Sequence, residues 1–217
     1  MKQKEVIPIP PLHVRKLLES GEGDQLDYKK EVNSEHKIAK TMVSFANHKG
    51  GRLLIGVNDN RTIHGIAVEE EKFMLEKAAG FYCKPPIDIE ITTWKIGKRN
   101  ILEVIIPKGD NKPYYALAED DKWWAYIRVK DQSLLASKVV LDVLKKEGDG
   151  SDTLVAFSSK EKALLDYLNE HPKITLNQYC KLINISRRRA TVILVNLIRM
   201  GVIRAHAHET PEFYTLS

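Results

Sequence analysis

The sequence predicts an α+β protein of two unlike domains, the first with a mixed or antiparallel sheet and the second a small unit of three helices and a strand pair. Three observations predict it. The chain has 217 residues, 43% hydrophobic and 29% charged, which is globular composition and, at ~100–200 residues per domain, room for one large domain or a medium and a small one. Apolar spacing switches repeatedly between helical and strand period through the first two thirds of the chain. That periodicity then breaks at Lys145–Ser159, in KKEGDGSDTLVAFSS, where Gly148, Gly150 and the serines and aspartates mark a boundary. No fixed-period repeat occurs, which removes solenoid and propeller architectures. The expected layout is a first domain over residues 1–147, a linker over 148–158 and a second domain over 159–217.

In the first domain, Leu12, Arg15, Leu17 and Leu18 give a partial apolar face to a helix over Pro11–Ser20, stopped by Gly21. A short strand is expected at Gln25–Lys29. Ile38, Met42, Val43, Phe45 and Ala46 sit at helical spacing in Glu35–His48, Gly50-Gly51 ends that helix, and Arg52–Val57 reads as a buried strand. A turn at Asn58–Arg61 and a return strand at Ile63–Ala67 follow, then a helix over Val68–Cys83 that stops before Pro85-Pro86. Ile87–Thr93 and Asn100–Ile106 form a hairpin around Gly97, Trp123–Val129 is a further strand, and Leu134–Lys145 a closing helix.

In the second domain, Ser159 caps a helix from Lys160 to about Glu170, ended by Pro172. Thr175 starts a short helix over Leu176–Ile183. After a turn at Asn184–Ile185, Ser186 caps a third helix running through Met200, and Gly201 ends it. Val202–Ala207 and Glu212–Leu216 are strands around the turn at Glu209–Pro211. Three helices and a hairpin in this order look like a winged helix-turn-helix.

Charge concentrates in that second domain. Net charge is +5, which is mild for this length. From Ser158 to Ser217, however, nine Lys/Arg face five acids, and the rest of the chain is close to neutral. The third helix opens Ser186-Arg187-Arg188-Arg189, so three guanidinium groups occupy the first turn of what would be a recognition helix. Lys181 and Arg204 are placed to touch phosphates. The plainer alternative is a winged helix that packs against a partner protein and leaves the arginines as a solvated face.

Three acids bear on chemistry in the first domain: Glu22 and Asp27, flanking the loop after the first helix, and Asp59, after the strand Leu53–Val57. Should the strands at 25–29 and 53–57 lie side by side, the three carboxylates can converge at one sheet end. Such a cluster suits Mg²⁺ or Mn²⁺, hard cations that take oxygen ligands beside a phosphodiester, with Lys29 neutralising a phosphate. Acids near turns also cap helices in any globular protein. Gly50-Gly51 lets backbone approach a phosphate or simply ends a helix. There is no G-x-x-x-x-G-K-[ST] and no G-x-G-x-x-G, so ATP binding through a P-loop is not supported.

Among seven histidines, His206 and His208 lie two apart on the expected wing, as surface residues or half of a metal site. Trp123-Trp124 and Tyr114-Tyr115 can stack on bases, although strand alternation turns one member of each pair toward the core. Two distant cysteines, Cys83 and Cys180, exclude a disulfide framework and a four-cysteine zinc site. No apolar run reaches the ~18–20 residues of a membrane span, and the start MKQKEVIPIPPLHV lacks an apolar segment before its prolines. The expectation is a soluble, cytoplasmic chain that does not engage a membrane.

Five ordered blocks then carry a resemblance. Gly21-Glu-x4-Asp-Tyr-Lys29, Ser44-Phe-Ala-Asn-His-Lys-Gly-Gly51, Leu54-Ile-Gly-Val-Asn-Asp59 with Ile63-His-Gly65, Lys112-Pro-Tyr-Tyr115 and Ala125-Tyr-Ile-Arg-Val129 resemble the Schlafen/AlbA-like DNA-binding domain, over roughly residues 11–145. The resemblance implies a bacterial transcriptional regulator in which such a domain precedes a helix-turn-helix. The leading expectation is therefore a DNA-binding regulator that uses Lys181, Ser186, Arg187, Arg188, Arg189 and Arg204 and requires no cofactor. In vertebrate Schlafen members the domain is similar to an endoribonuclease that cleaves tRNA and rRNA with three acids, which fall on Glu22, Asp27 and Asp59 here. That implies the alternative, a Mg²⁺- or Mn²⁺-dependent RNA endonuclease. Asp27 stands where the pattern has Glu, Asn58 where it has Asp, and the Schlafen zinc ligands have no counterpart. Those enzymes also duplicate the domain, so one copy implies a homodimer if a comparable RNA groove forms.

Overall fold

The computed structural model describes residues 10–148 and 158–217. It divides into two compact units, one running through Asp110 together with Tyr114–Ser133, the other comprising Asn111–Pro113 and Leu134–Ser217.

The first unit is organised around one helix. α2 (Glu35–Ala46) starts at Ser34, whose side chain accepts from the Lys37 N–H, and eight of its twelve residues are buried. A helix apolar on one stripe needs one partner layer, whereas one buried nearly all round needs two. α2 has them. On one side lies a sheet of β1 (Leu26–Lys29), β2 (Gly51–Ile55), β4 (Glu90–Ile96) and β5 (Arg99–Ile106) in the order β1-β2-β5-β4. β1 runs parallel to β2, with Asp27 opposite Leu53, and the other pairs are antiparallel. On the other side lies a sheet ordered β3 (Cys83–Lys84), β6 (Tyr115–Leu117), β7 (Trp123–Val129) and β8 (Gln132–Leu135).

Met42, Phe45, Leu53, Ile55, Leu102, Val104 and Ala116 share the core around α2, which α3 (Val68–Phe81) joins through Leu75 and Ala78. The strand period sends Leu26, Tyr28, Leu54 and Ile101 to the opposite face of the first sheet, where α1 (Leu12–Ser20) covers them with Val14. Glu103 is on that covered face too, buried yet fully engaged: His13 Nε2 at 2.9 Å, Trp94 Nε1 at 2.9 Å and Arg52 Nε at 3.4 Å.

In the second unit, α4 (Lys138–Gly148) packs against α7 (Arg187–Arg199). Val139 and Val143 of α4 join Ile193, Leu194 and Leu197 in one core, and Lys146 Nζ reaches Asn196 Oδ1 at 2.7 Å. α5 (Ser159–Glu170) and α6 (Leu176–Leu182) complete the helices. Each begins with a reciprocal capping box, Thr175 with Gln178 and Ser158 with Glu161, so the cap of α5 is one residue before the expected Ser159. β9 (Ile174–Thr175), β10 (Ile203–His206) and β11 (Phe213–Leu216) form an antiparallel sheet in the order β10-β11-β9.

Several expectations change. The helix read as closing the first domain, at 134–145, begins at Lys138 and belongs to the second unit, because its apolar face fits the core of α7. The compact boundary accordingly falls near residue 133 instead of 147. The expected linker, 148–158, lies outside the described residues except at its two ends. The return strand at Ile63–Ala67 reduces to a single bridge between Val57 and Ile63, since the chain turns away at Gly65, which has φ +86°. The helix expected over Val68–Cys83 ends at Phe81, and the strand expected at Ile87–Thr93 is shifted to Glu90–Ile96.

Candidate nucleic-acid interface

α7 is presented by a short turn. Ile183 closes α6 by donating to the Tyr179 carbonyl, Asn184 takes φ +50°, and Ser186 caps α7 by accepting from the Arg189 N–H at 3.3 Å. Residues on the inner face, Ala190, Ile193, Leu194 and Leu197, are buried. That periodicity leaves Arg187, Arg188 and Arg189 exposed in the first turn. Arg187 is positioned from outside its own helix, since its Nη1 donates to Asn177 Oδ1 of α6 at 2.7 Å. Lys181 and Arg204 are also exposed.

His206 and His208, with ring centroids 5.8 Å apart, each have a further partner. His206 Nε2 meets Thr215 Oγ1 at 3.0 Å and its ring stacks on Phe213, whereas His208 approaches Glu209. Burial and the neighbouring His208 hold the His206 pKa below the ordinary imidazole value. Cys83 is buried and its thiol is pushed up to about 12, so it is inert as a nucleophile.

In the first unit, the structure brings Glu22 and Asp27 together. Glu22 Oε1 accepts from the Tyr28 N–H at 2.8 Å. Partial burial and the adjacent Asp27 raise the Glu22 pKa against the opposing effect of the Tyr28 N–H and Lys29. Asp27, opposite Leu53 on the α2 face, is 3% exposed. Arg128 Nη2 donates to its Oδ1 at 2.9 Å and Lys29 pairs with its Oδ2. Lys29 Nζ also donates to the Tyr28 carbonyl at 2.9 Å, so this lysine serves the fold at its own strand. Asp59 is exposed in the turn after β2.

A divalent ion needs several carboxylate oxygens free to face one point. Two cations already occupy Asp27, and among the described residues no three His, Cys, Asp or Glu side chains gather as a metal site. The arrangement therefore does not fit the Mg²⁺ or Mn²⁺ that the endonuclease reading requires. Beside the pair opens a cleft of about 570 Å³ whose rim includes Glu22, Lys49, Gly50, Gly51, Arg52 and Lys108.

Arg128 is the residue that sequence reasoning missed. Besides Asp27 it donates to the carbonyls of Gly23 and Leu26 and lies 4.7 Å over the Phe45 ring. An arginine inside the strand Ala125-Tyr-Ile-Arg-Val129 was the available signal, because a charge at an inward position calls for a buried partner. Asn47 was missed likewise: its amide donates to the carbonyls of Tyr114 and Tyr126 and accepts from the Tyr114 N–H. Neither Trp123 nor Trp124 is core, at 38% and 40% exposure, while of the tyrosine pair Tyr114 is the buried member.

Two sheets enclosing a buried helix, followed by a helical unit with a basic helix start, define a two-unit α+β protein. Residues 22–137, more than half the chain, match the family model described as Schlafen, AlbA_2, and the chain belongs to that family. No curated protein sequence matches it. Among solved structures, the DIP2311 protein from Corynebacterium diphtheriae is similar at 16% identity and TM-score 0.45. That match covers 72% of this chain and 36% of the other, so this chain spans about a third of that protein's length. The N-terminal domain of a Nitrosomonas europaea protein described as related to the ATP-dependent DNA helicase RecG is similar at 19% identity and TM-score 0.42, over 67% of this chain and 95% of that one. No helix among the described residues is long and apolar enough to cross a membrane.

Proposed function

We propose that this protein binds duplex DNA through α6 and α7 and acts as a transcriptional regulator. One observation carries the reading: Arg187, Arg188 and Arg189 stand exposed in the first turn of a Ser186-capped helix that follows a second helix across a four-residue turn. In a helix-turn-helix, the N-terminal residues of the second helix meet base edges and phosphates in the major groove. The order α5-β9-α6-α7-β10-β11, with its sheet ordered β10-β11-β9, supports a winged helix. In that arrangement Arg204 on the wing and Lys181 on α6 supply flanking phosphate contacts. The Asn177 contact holds Arg187 in place before DNA arrives, which lowers the ordering cost of binding. This reading needs neither metal nor nucleotide.

Fluorescence anisotropy of the full chain against a duplex DNA pool across a salt series tests it. Replacing Arg187, Arg188 and Arg189 by alanine is expected to weaken binding and to lower the slope of log K against log salt by up to about 3, near 0.9 per lost phosphate contact. An unchanged slope would remove α7 from the interface.

A further inference from the structure

The first unit carries an aromatic and basic surface that the DNA reading leaves unused. Trp124 and Tyr126 of β7 line a cleft of about 410 Å³ together with His36, Lys37 and Lys40 of α2. The volume lies within the ~300–1,000 Å³ of ligand clefts. Trp124 is 40% exposed, so a large ring is open to solvent at the cleft. Lys40 Nζ lies 5.1 Å from the Tyr126 ring centroid, so a cation sits against an aromatic face. The remaining rim, the turn from β6 to β7, bears Glu119 and Asp120, and Lys122 holds Asp120 at 2.9 Å. Positive charge thus comes from α2 and negative charge from the turn, where Lys122 offsets part of it.

We infer that this cleft is a stacking site for single-stranded nucleic acid, with a base on Trp124 and the adjoining phosphates on Lys37 and Lys40. The pattern of π-faces beside a basic track is what strand binding without sequence preference requires. A duplex hides its base faces inside the stack, so this site selects single strands where α7 selects duplexes. The acids at the turn repel phosphates, which favours the backbone on the α2 side. The cleft belongs to the first unit and α7 to the second, and the inference stands whether or not the DNA reading does.

The test measures binding of the full chain to fluorescein-labelled 12-mers of oligo(U) and oligo(dT), alongside a duplex of equal length. Trp124→Ala is expected to weaken single-strand binding about 5- to 150-fold, the effect of one lost stacked base, and Trp124→Phe to restore most of it. Lys37→Gln with Lys40→Gln is expected to lower the salt slope by about 1.4, near 0.7 per phosphate on a single strand. The alanine variant of Arg187, Arg188 and Arg189 is expected to bind single strands as the parent does, which separates this site from the DNA reading. Parent protein that binds neither 12-mer, or variants at 124, 37 and 40 that bind them as the parent does, overturns the inference. So does single-strand binding that disappears with the arginine variant. A cleft that serves a protein partner gives the first or the second of these results.

Discussion

Arg128 and Asp27 form an ion pair 2.9 Å long whose side chains are 2% and 5% exposed. It joins the two sheets of the first unit, since Asp27 is on β1 and Arg128 on β7. Five groups converge on one guanidinium: the Asp27 carboxylate, the Gly23 and Leu26 carbonyls, the Ser133 hydroxyl and the Phe45 ring. A site this crowded fixes the loop that carries Glu22.

Removing Arg128 leaves a buried carboxylate that keeps Lys29 but still faces Glu22. Arg128→Ala is expected to cost about 3–5 kcal/mol, the range for breaking a buried pair from one side. Arg128→Met combined with Asp27→Leu removes both charges and should recover much of that loss. Urea unfolding followed by far-UV circular dichroism decides. A single-variant cost within about 1 kcal/mol, the range of exposed pairs, would mean that the pair is wet.

Glu22 gives a pH signature. Its folded pKa is raised above the ordinary 4.5, mainly by burial and by Asp27, so the folded state holds a proton that the unfolded chain releases. Stability from this group is present below the unfolded pKa and is lost as pH rises through the folded one. Glu22→Gln keeps the acceptor for the Tyr28 N–H and removes the charge. The variant is expected to gain stability over the parent as pH rises from about 4.5, with the difference levelling off once Glu22 is ionised. Glu71, also raised by burial, is common to both proteins and cancels. Parallel stability curves between pH 4 and 7, measured by urea titration, would count against the carboxyl pair.

Where the sequence was legible, the signal was local. α2, β2, β7 and the caps at Thr175 and Ser186 follow from spacing and side-chain chemistry within a few residues. β3, β6 and β9 were not legible, because strands of two or three residues have no period to read. The apolar stripe of α4 announces a helix but not which core receives Val139 and Val143. The candidate site divides the same way. Arg187–Arg189 announce themselves by position, whereas the partner of Asp27 is 101 residues away and only the closing of two sheets on α2 reveals it.

Asn47 tests the polar seam at the end of α2. It is 3% exposed, and its amide spans two carbonyls and one N–H. Asn47→Asp turns both donors into acceptors facing carbonyl oxygens, at about 1–3 kcal/mol for each group left unpaired. A carboxyl so placed has its pKa raised, so the loss is expected to be largest at neutral pH and to shrink as pH falls and the acid protonates. Thermal unfolding at pH 7 and pH 5 reads it. A loss equal at both would mean that the side chain has swung to solvent.

The glycines around β2 separate backbone necessity from local convenience. Gly50 has φ +74°, and a Cβ there would stand 2.7 Å from the Lys108 nitrogen and 2.8 Å from the Ile106 carbonyl oxygen. Both are backbone atoms, and Ile106 is held by its pairing with Gly51, so relief requires the main chain to move. A left-handed conformation alone costs a non-glycine residue about 1–2 kcal/mol, and the overlap adds to it. Gly50→Ala is therefore expected to lower stability by at least about 2 kcal/mol. At Gly51 the obstacle is the Phe45 ring, a fully buried side chain in the core beneath α2, so Gly51→Ala also loses stability through displaced packing. Gly80, in α3, is the contrast, since a Cβ there meets nothing within 4 Å and its backbone is helical. Gly80→Ala is expected to add about 0.5–1 kcal/mol by restricting the unfolded chain. Denaturant midpoints for the three variants should fall on opposite sides of the parent, and a Gly50→Ala protein as stable as Gly80→Ala would mean that the turn before β2 is free to rearrange.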